Sequence, residues 1–172
     1  MGGFDENCES LEVEVDESAF HRRKYNVGLY RPTQWVLGGV DRQTRNIFLA
    51  AVPNRTADTF LPLLETFILP GSRILTDGWA AYADIGSLQG GIYSHNTVIH
   101  ADHFVDPIDD SVHTQGIESV WKDVKKKLRR QCGTSNILFE SYLNEEMWRV
   151  NCARRTNVFS KILICIRMQY PL

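Results

Sequence analysis

Apolar and polar positions alternate at the start of the chain, where Leu11, Val13 and Val15 are interleaved with Glu12, Glu14 and Asp16. A period of two predicts a strand with one buried and one polar face, and Asp16 falls on the polar face near its end. Residues 1–9 before it read as a loose end. Two apolar runs follow, QWVLGGV over 34–40 and NIFLAAV over 46–52, and the DRQTR between them suits a hairpin turn. The period then changes. Phe60, Leu63, Leu64, Phe67 and Ile68 lie at helical spacing, with Thr56 or Asp58 as candidate caps. Pro62 fits that helix only if it starts late, near Asp58, and Pro70-Gly71 ends it. RILT over 73–76 reads as a short buried strand ending at Asp77. The chain from Gly78 to Ala83 turns into a helix, YSHNTVIH over 93–100 reads as another strand, and 102–111 reads as a surface loop. Over 114–130 a helix is predicted with Ile117, Val120, Trp121, Val124 and Leu128 as its apolar stripe. A further helix is predicted over 136–150, and 159–168 is apolar enough to pack as a last one.

The order is three antiparallel strands, helix, strand, helix, strand, helices. The economical solution is an α/β fold: a mixed sheet with helices on both faces. At 172 residues there is room for one domain with a real core, here expected over 10–150, with 151–172 as a helical tail packed on it. No apolar run is long enough to span a membrane, and the first residues are acidic rather than basic and apolar. An intracellular protein with no membrane partner is expected, in the nucleus of a eukaryote or the cytoplasm and nucleoid of a bacterium. Cys8, Cys132, Cys152 and Cys165 are scattered without a CxxC pair, which argues for reduced thiols rather than a zinc ribbon.

The net charge of -2 conceals two opposite fields. Residues 5–17 hold seven acids and no base, whereas 122–130 hold six bases and one acid, Asp123. Three acids stand at suggestive places: Asp16 on the first strand, Asp77 at the end of a later one, Glu118 near the start of the basic helix. Neighbouring strand ends bring two carboxylates together, and a helix across the sheet presents the third. Such a cluster needs cations, and an oxygen-only donor set suits Mg²⁺ or Mn²⁺ in a two-metal site for phosphoryl transfer. The chain holds 21 acids, so spacing alone leaves open that these are solvated or salt-bridged surface groups.

The words around the acids narrow this. VEVDESAFHRRKYNVG, QWVLGGVDR, PNRTADTFLPLLETFILPGSRILTDGWAAY, HADHFVDP, HTQGIESVWKDVKKKLRR, GTSN and YLNEEMWR occur in that order. The series resembles the transposase domain of Merlin-type DNA transposons and their bacterial insertion-sequence relatives, the ISXO-two-like group, over about residues 11–150. The resemblance implies a ribonuclease-H-like fold and a catalytic, metal-holding DDE triad. The Asp of the family's V-E-[VI]-D-E-[ST] word falls on Asp16, the Asp of T-D-x-W-x-x-Y on Asp77, and the Glu of H-T-x-x-I-E-x-x-W on Glu118. It also implies metal-dependent strand cleavage and strand transfer on transposon ends and target DNA, with a homo-oligomer on DNA as a further expectation.

The family's Lys after that Glu falls on Lys125, seven residues or two helical turns on. Lys122, Lys126 and Arg129 join it as candidate phosphate contacts, against the alternative of a merely solvated helix face. Arg22, Arg23 and Lys24 either add phosphate contacts or form a plain basic loop. His100 and His113 match family positions as accessory residues; His113 either orients a phosphate or sits before the helix cap. Trp79 and Trp121 read as core packing rather than base stacking. The resembled proteins usually carry a DNA-end-binding region ahead of the first catalytic strand, which here begins within a dozen residues of the start. A catalytic domain without its targeting region is therefore the expectation, with a non-catalytic, transposase-derived DNA-binding or protein-interaction module as the alternative. Ile99 and Ala101, around His100, depart from the family's N-H-S word.

Overall fold

The structure is a computed structural model that describes residues 1–20, 33–98, 114–130, 136–153 and 157–170. Five strands form one sheet in the order β3-β2-β1-β4-β5: β1 (Glu12–Phe20), β2 (Gln34–Asp41), β3 (Ile47–Val52), β4 (Arg73–Asp77) and β5 (Ser94–Val98). The first three are antiparallel neighbours, and β4 and β5 run parallel to β1. The β2–β3 turn closes on Asp41, whose backbone N–H donates to the Asn46 carbonyl and whose carboxylate accepts from the N–H groups of Gln43 and Thr44. An Asp that bonds its own backbone a few residues on favours a turn, as the sequence predicts.

Alternation along the strands sends apolar side chains to both faces. One face packs Val13, Val15, Leu37, Phe48 and Ile74 against Phe60 and Leu64 of α1 (Ala57–Phe67) and against Tyr82. The other packs Phe20, Val36, Val40 and Leu49 against α2 (Gln115–Arg130) and α3 (Phe139–Asn151). Ile117, Trp121 and Val124 are the buried stripe of α2, spaced as their sequence positions require. Pro62 lies inside α1 rather than in its first turn, and the helix continues to Phe67 because Phe60 and Leu64 are fully buried on either side of it. After β4 the chain makes short 3-10 turns over Ala80–Tyr82 and Ile85–Gly90 in place of a full helix.

Three expectations change. Residues 1–9 are not loose at their start: the terminal amine donates to the Phe67 carbonyl at 2.8 Å, Gly2 bridges to Leu69, and the Gly3 N–H donates to Ser72 Oγ at 2.7 Å. Asp16 is not at the end of β1, which runs on to Phe20 because β2 pairs with it throughout. The tail forms α4 (Val158–Gln169), started by Asn157, whose side chain accepts from the Phe159 and Ser160 N–H groups, but no residue of α4 is buried. Phe159, Leu163, Ile164, Ile166 and Met168 are exposed, so among the described residues the helix lacks the buried face expected of a packed tail. Among the described residues no helix is long and apolar enough to cross a membrane.

Candidate active site

The parallel pairing of β1 with β4 sets Glu12 beside Arg73 and Glu14 beside Leu75. Continued along the strands, that register brings Asp16 level with Asp77. The two side chains therefore leave neighbouring strands on the same face, the one covered by α2. Asp16, Asp77, Thr114 and Glu118 line a single cleft of about 200 Å³. The three acids come from three elements and meet where the carboxyl end of β4 lies under the first turn of α2.

Two glycines let α2 lie this low. A Cβ on Gly38 would stand 2.5 Å from Trp121 Cη2, and one on Gly116 would stand 2.7 Å from Glu14 Oε2. The face of β1 read as polar is accordingly not wet. Glu14 is 1% exposed, accepts from the Ile117 N–H at 2.9 Å and from Arg42 Nε at 2.7 Å, and so takes up a backbone donor in the first turn of α2. Arg42 also donates to Glu12 at 2.7 Å, and Arg73 donates to Glu12 at 2.9 Å.

Asp16 accepts from the indole N–H of Trp121 at 2.9 Å. Burial pushes its carboxyl up to about 7, partly offset by that hydrogen bond, and the neighbouring charges of Glu17 and Asp77 raise it further. A buried carboxyl crowded by like charge favours either a proton or a cation. Asp77 accepts from the Trp79 N–H at 3.0 Å, which caps the turn leaving β4. Glu118 is exposed at the cleft mouth. The donor set is all oxygen and fits hard divalent ions. Among the described residues, however, no three Asp, Glu, His or Cys side chains surround one point closely enough to hold a single ion. The carboxylates share a cleft without converging on one position.

Lys125 is held against the sheet rather than free at the surface. Its Nζ donates to Ser18 Oγ at 2.6 Å and lies 5.2 Å from the centre of the Phe20 ring. Burial lowers its pKa, with the charge of Asp16 acting in the opposite direction. Lys122, Lys126 and Arg129 are exposed along α2, whereas Lys127 turns away to Glu145 and Glu146 on α3. Arg22, Arg23, Lys24, His100 and His113 lie outside the described residues. Sequence reasoning passed over Glu14 and Thr114. It read Trp121 as packing alone, although Trp121 also binds Asp16. It placed Trp79 in the core, although Trp79 is 42% exposed. The one available signal was that Glu12, Glu14 and Asp16 share a face that the basic helix has to cover.

Comparison with solved structures places this architecture. The catalytic core domain of HTLV-2 integrase, solved in complex with magnesium in a dimeric form, superposes with a TM-score of 0.54 at 14% identity, covering 82% of this chain and 86% of that one. The catalytic core domain of BIV integrase gives a TM-score of 0.56 at 13% identity, covering 92% and 97%. At such identities the likeness is one of fold: the mixed five-stranded sheet is ribonuclease-H-like, as in retroviral integrase cores. Residues 11–151 match the ISXO2-like transposase domain, and the chain belongs to that family. No curated protein matches the sequence.

Proposed function

We propose that this chain is a DDE transposase catalytic domain that cuts and joins DNA strands, with Asp16, Asp77 and Glu118 as its catalytic carboxylates. One observation carries the reading: the three acids that match the family's motif words, far apart in sequence, line one cleft at the carboxyl end of β4. Asp16, Asp77 and Glu118 would hold Mg²⁺ or Mn²⁺ in a two-metal site. Spread over two ions, three carboxylates need not surround a single point. Such ions supply positive charge to the phosphoryl group and activate the attacking oxygen.

The chain's own residues do the rest. Trp121 fixes Asp16 by hydrogen bond, Asp77 is fixed by the backbone turn it caps, and Glu118 is free to adjust at the cleft mouth. Exposed Lys122, Lys126 and Arg129 continue from Glu118 along α2 and offer a DNA backbone sequence-independent, salt-sensitive contacts. Lys125, bonded to Ser18 beside Asp16, helps set the charge of the cleft wall. Assembly as a homo-oligomer on DNA belongs to the same reading.

The test is metal-dependent cleavage or strand transfer on supercoiled or pre-nicked DNA. Asp77→Asn should lower it at least 100-fold with the fold intact, since the amide keeps the shape but not the charge. Equal residual cleavage by wild type and Asp77→Asn would leave a transposase-derived binding module as the better reading.

A further inference from the structure

Trp79 stands two residues beyond Asp77, and 42% of it is exposed rather than buried. Its ring is nonetheless held in place. The guanidinium of Arg55 lies 4.6 Å from the centre of the Trp79 ring and 4.1 Å from that of Trp35, between the two indoles. Arg55 is fixed in turn by Glu17, which accepts from its Nη1 at 3.0 Å and from the Tyr82 hydroxyl at 2.7 Å. Glu17 follows Asp16 on β1 and points to the opposite face of the sheet. The Trp79 backbone N–H is bound by Asp77 itself at 3.0 Å. A large aromatic ring is therefore held by Arg55 and partly exposed, and its backbone is tied to a carboxylate that lines the cleft.

Bracing of this kind is not needed for the core, since Tyr82, Phe60 and Ile85 already fill it and are fully buried. On the DNA reading, a rigid, partly exposed indole two residues from an acid of the cleft suits one ligand chemistry, the flat face of a nucleobase. A base pair in the interior of a duplex is stacked on both faces and presents none to a protein ring, so away from a duplex end the partner is an unpaired base. We infer that Trp79 is a stacking platform for an unpaired base next to the phosphate under attack, and that the chain prefers DNA whose strand is locally open at that point. The inference rests on the DNA reading above and adds the state of the DNA that the site accepts.

The test uses the full chain with Ca²⁺ in place of Mg²⁺ and two otherwise identical duplexes. One is fully paired; the other carries a short unpaired flank with 2-aminopurine in it. Wild type should bind the open duplex roughly 5- to 100-fold more tightly than the paired one, the range set by stacking of one base, and should quench the probe. Trp79→Ala should lose the preference and the quenching while keeping its affinity for the paired duplex. Trp79→Phe should retain part of both, and unchanged circular dichroism and melting would show that either variant is folded. If Trp79→Ala keeps the preference, or wild type binds both duplexes equally without quenching, the stacking role is wrong and DNA binding stands. If wild type binds neither duplex, the DNA reading falls and this inference with it.

Discussion

Two helices of this chain were both legible as helices, and they end differently. α2 is amphipathic: Ile117, Trp121 and Val124 are buried, while Lys122, Lys126 and Arg129 remain in water. α4 is apolar around much of its circumference, with Phe159, Leu163, Ile164, Ile166 and Met168 exposed and no residue buried. An apolar composition suffices to form a helix once Asn157 caps it, but it does not create a seat. α2 has one because its apolar stripe is narrow and matched, and because specific polar partners wait beneath it: Glu14 for the Ile117 N–H, Asp16 for the Trp121 indole, Ser18 for Lys125. Alternate residues of β1 thus bind successive turns of α2. The candidate site is built from that contact and owes nothing to α4.

The comparison breaks most directly at Glu14. Glu14→Ala should destabilise the fold by about 2–4 kcal/mol, because it takes the buried acceptor from the Ile117 N–H and removes one of the two carboxylates that hold Arg42, leaving that guanidinium to Glu12. Denaturant melting measures this, and a loss below about 1 kcal/mol would mean that α2 is not anchored there.

Gly38→Ala should cost less, about 1–3 kcal/mol, because the added methyl drives into the Trp121 ring. Its more telling effect is on chemistry: a displaced Trp121 releases Asp16, so strand cleavage should fall by more than the loss of folded protein explains. Cleavage that tracks the folded fraction would count against a positioning role for Trp121.

The smallest effect is expected in α4. Leu163→Ser should change stability by no more than about 0.5 kcal/mol, since the side chain is 51% exposed already. A loss of the size expected for Glu14→Ala would show that α4 is seated on the domain after all.

The strands and helices were largely readable because their periods are local properties of the chain. The hairpin at Asp41, the helix over α1 and the stripe of α2 follow from spacing and turn chemistry. Membership of the ISXO2-like transposase domain was readable for a different reason, the survival of several motif words in order. Where the words failed was in assigning faces. Glu14 and Asp16 read as lying on the polar face of the first strand, and Trp79 as core. Alternation says that two faces differ but not what covers each.

By itself the sequence determined the order of elements, the segregation of acidic and basic charge, and membership of the ISXO2-like transposase family. Only the tertiary structure decided that Asp16 stands level with Asp77, through the parallel β1–β4 register, and that α2 brings Glu118 to the same cleft. It also decided that Glu14 is buried while Trp79 is partly exposed, and that among the described residues α4 buries no side chain. The physical reason is common to all of these. Period and propensity act between residues a few positions apart, whereas burial, desolvation and crossing contacts are set by segments far away in the chain, as with Asp16 and Trp121, 105 residues apart.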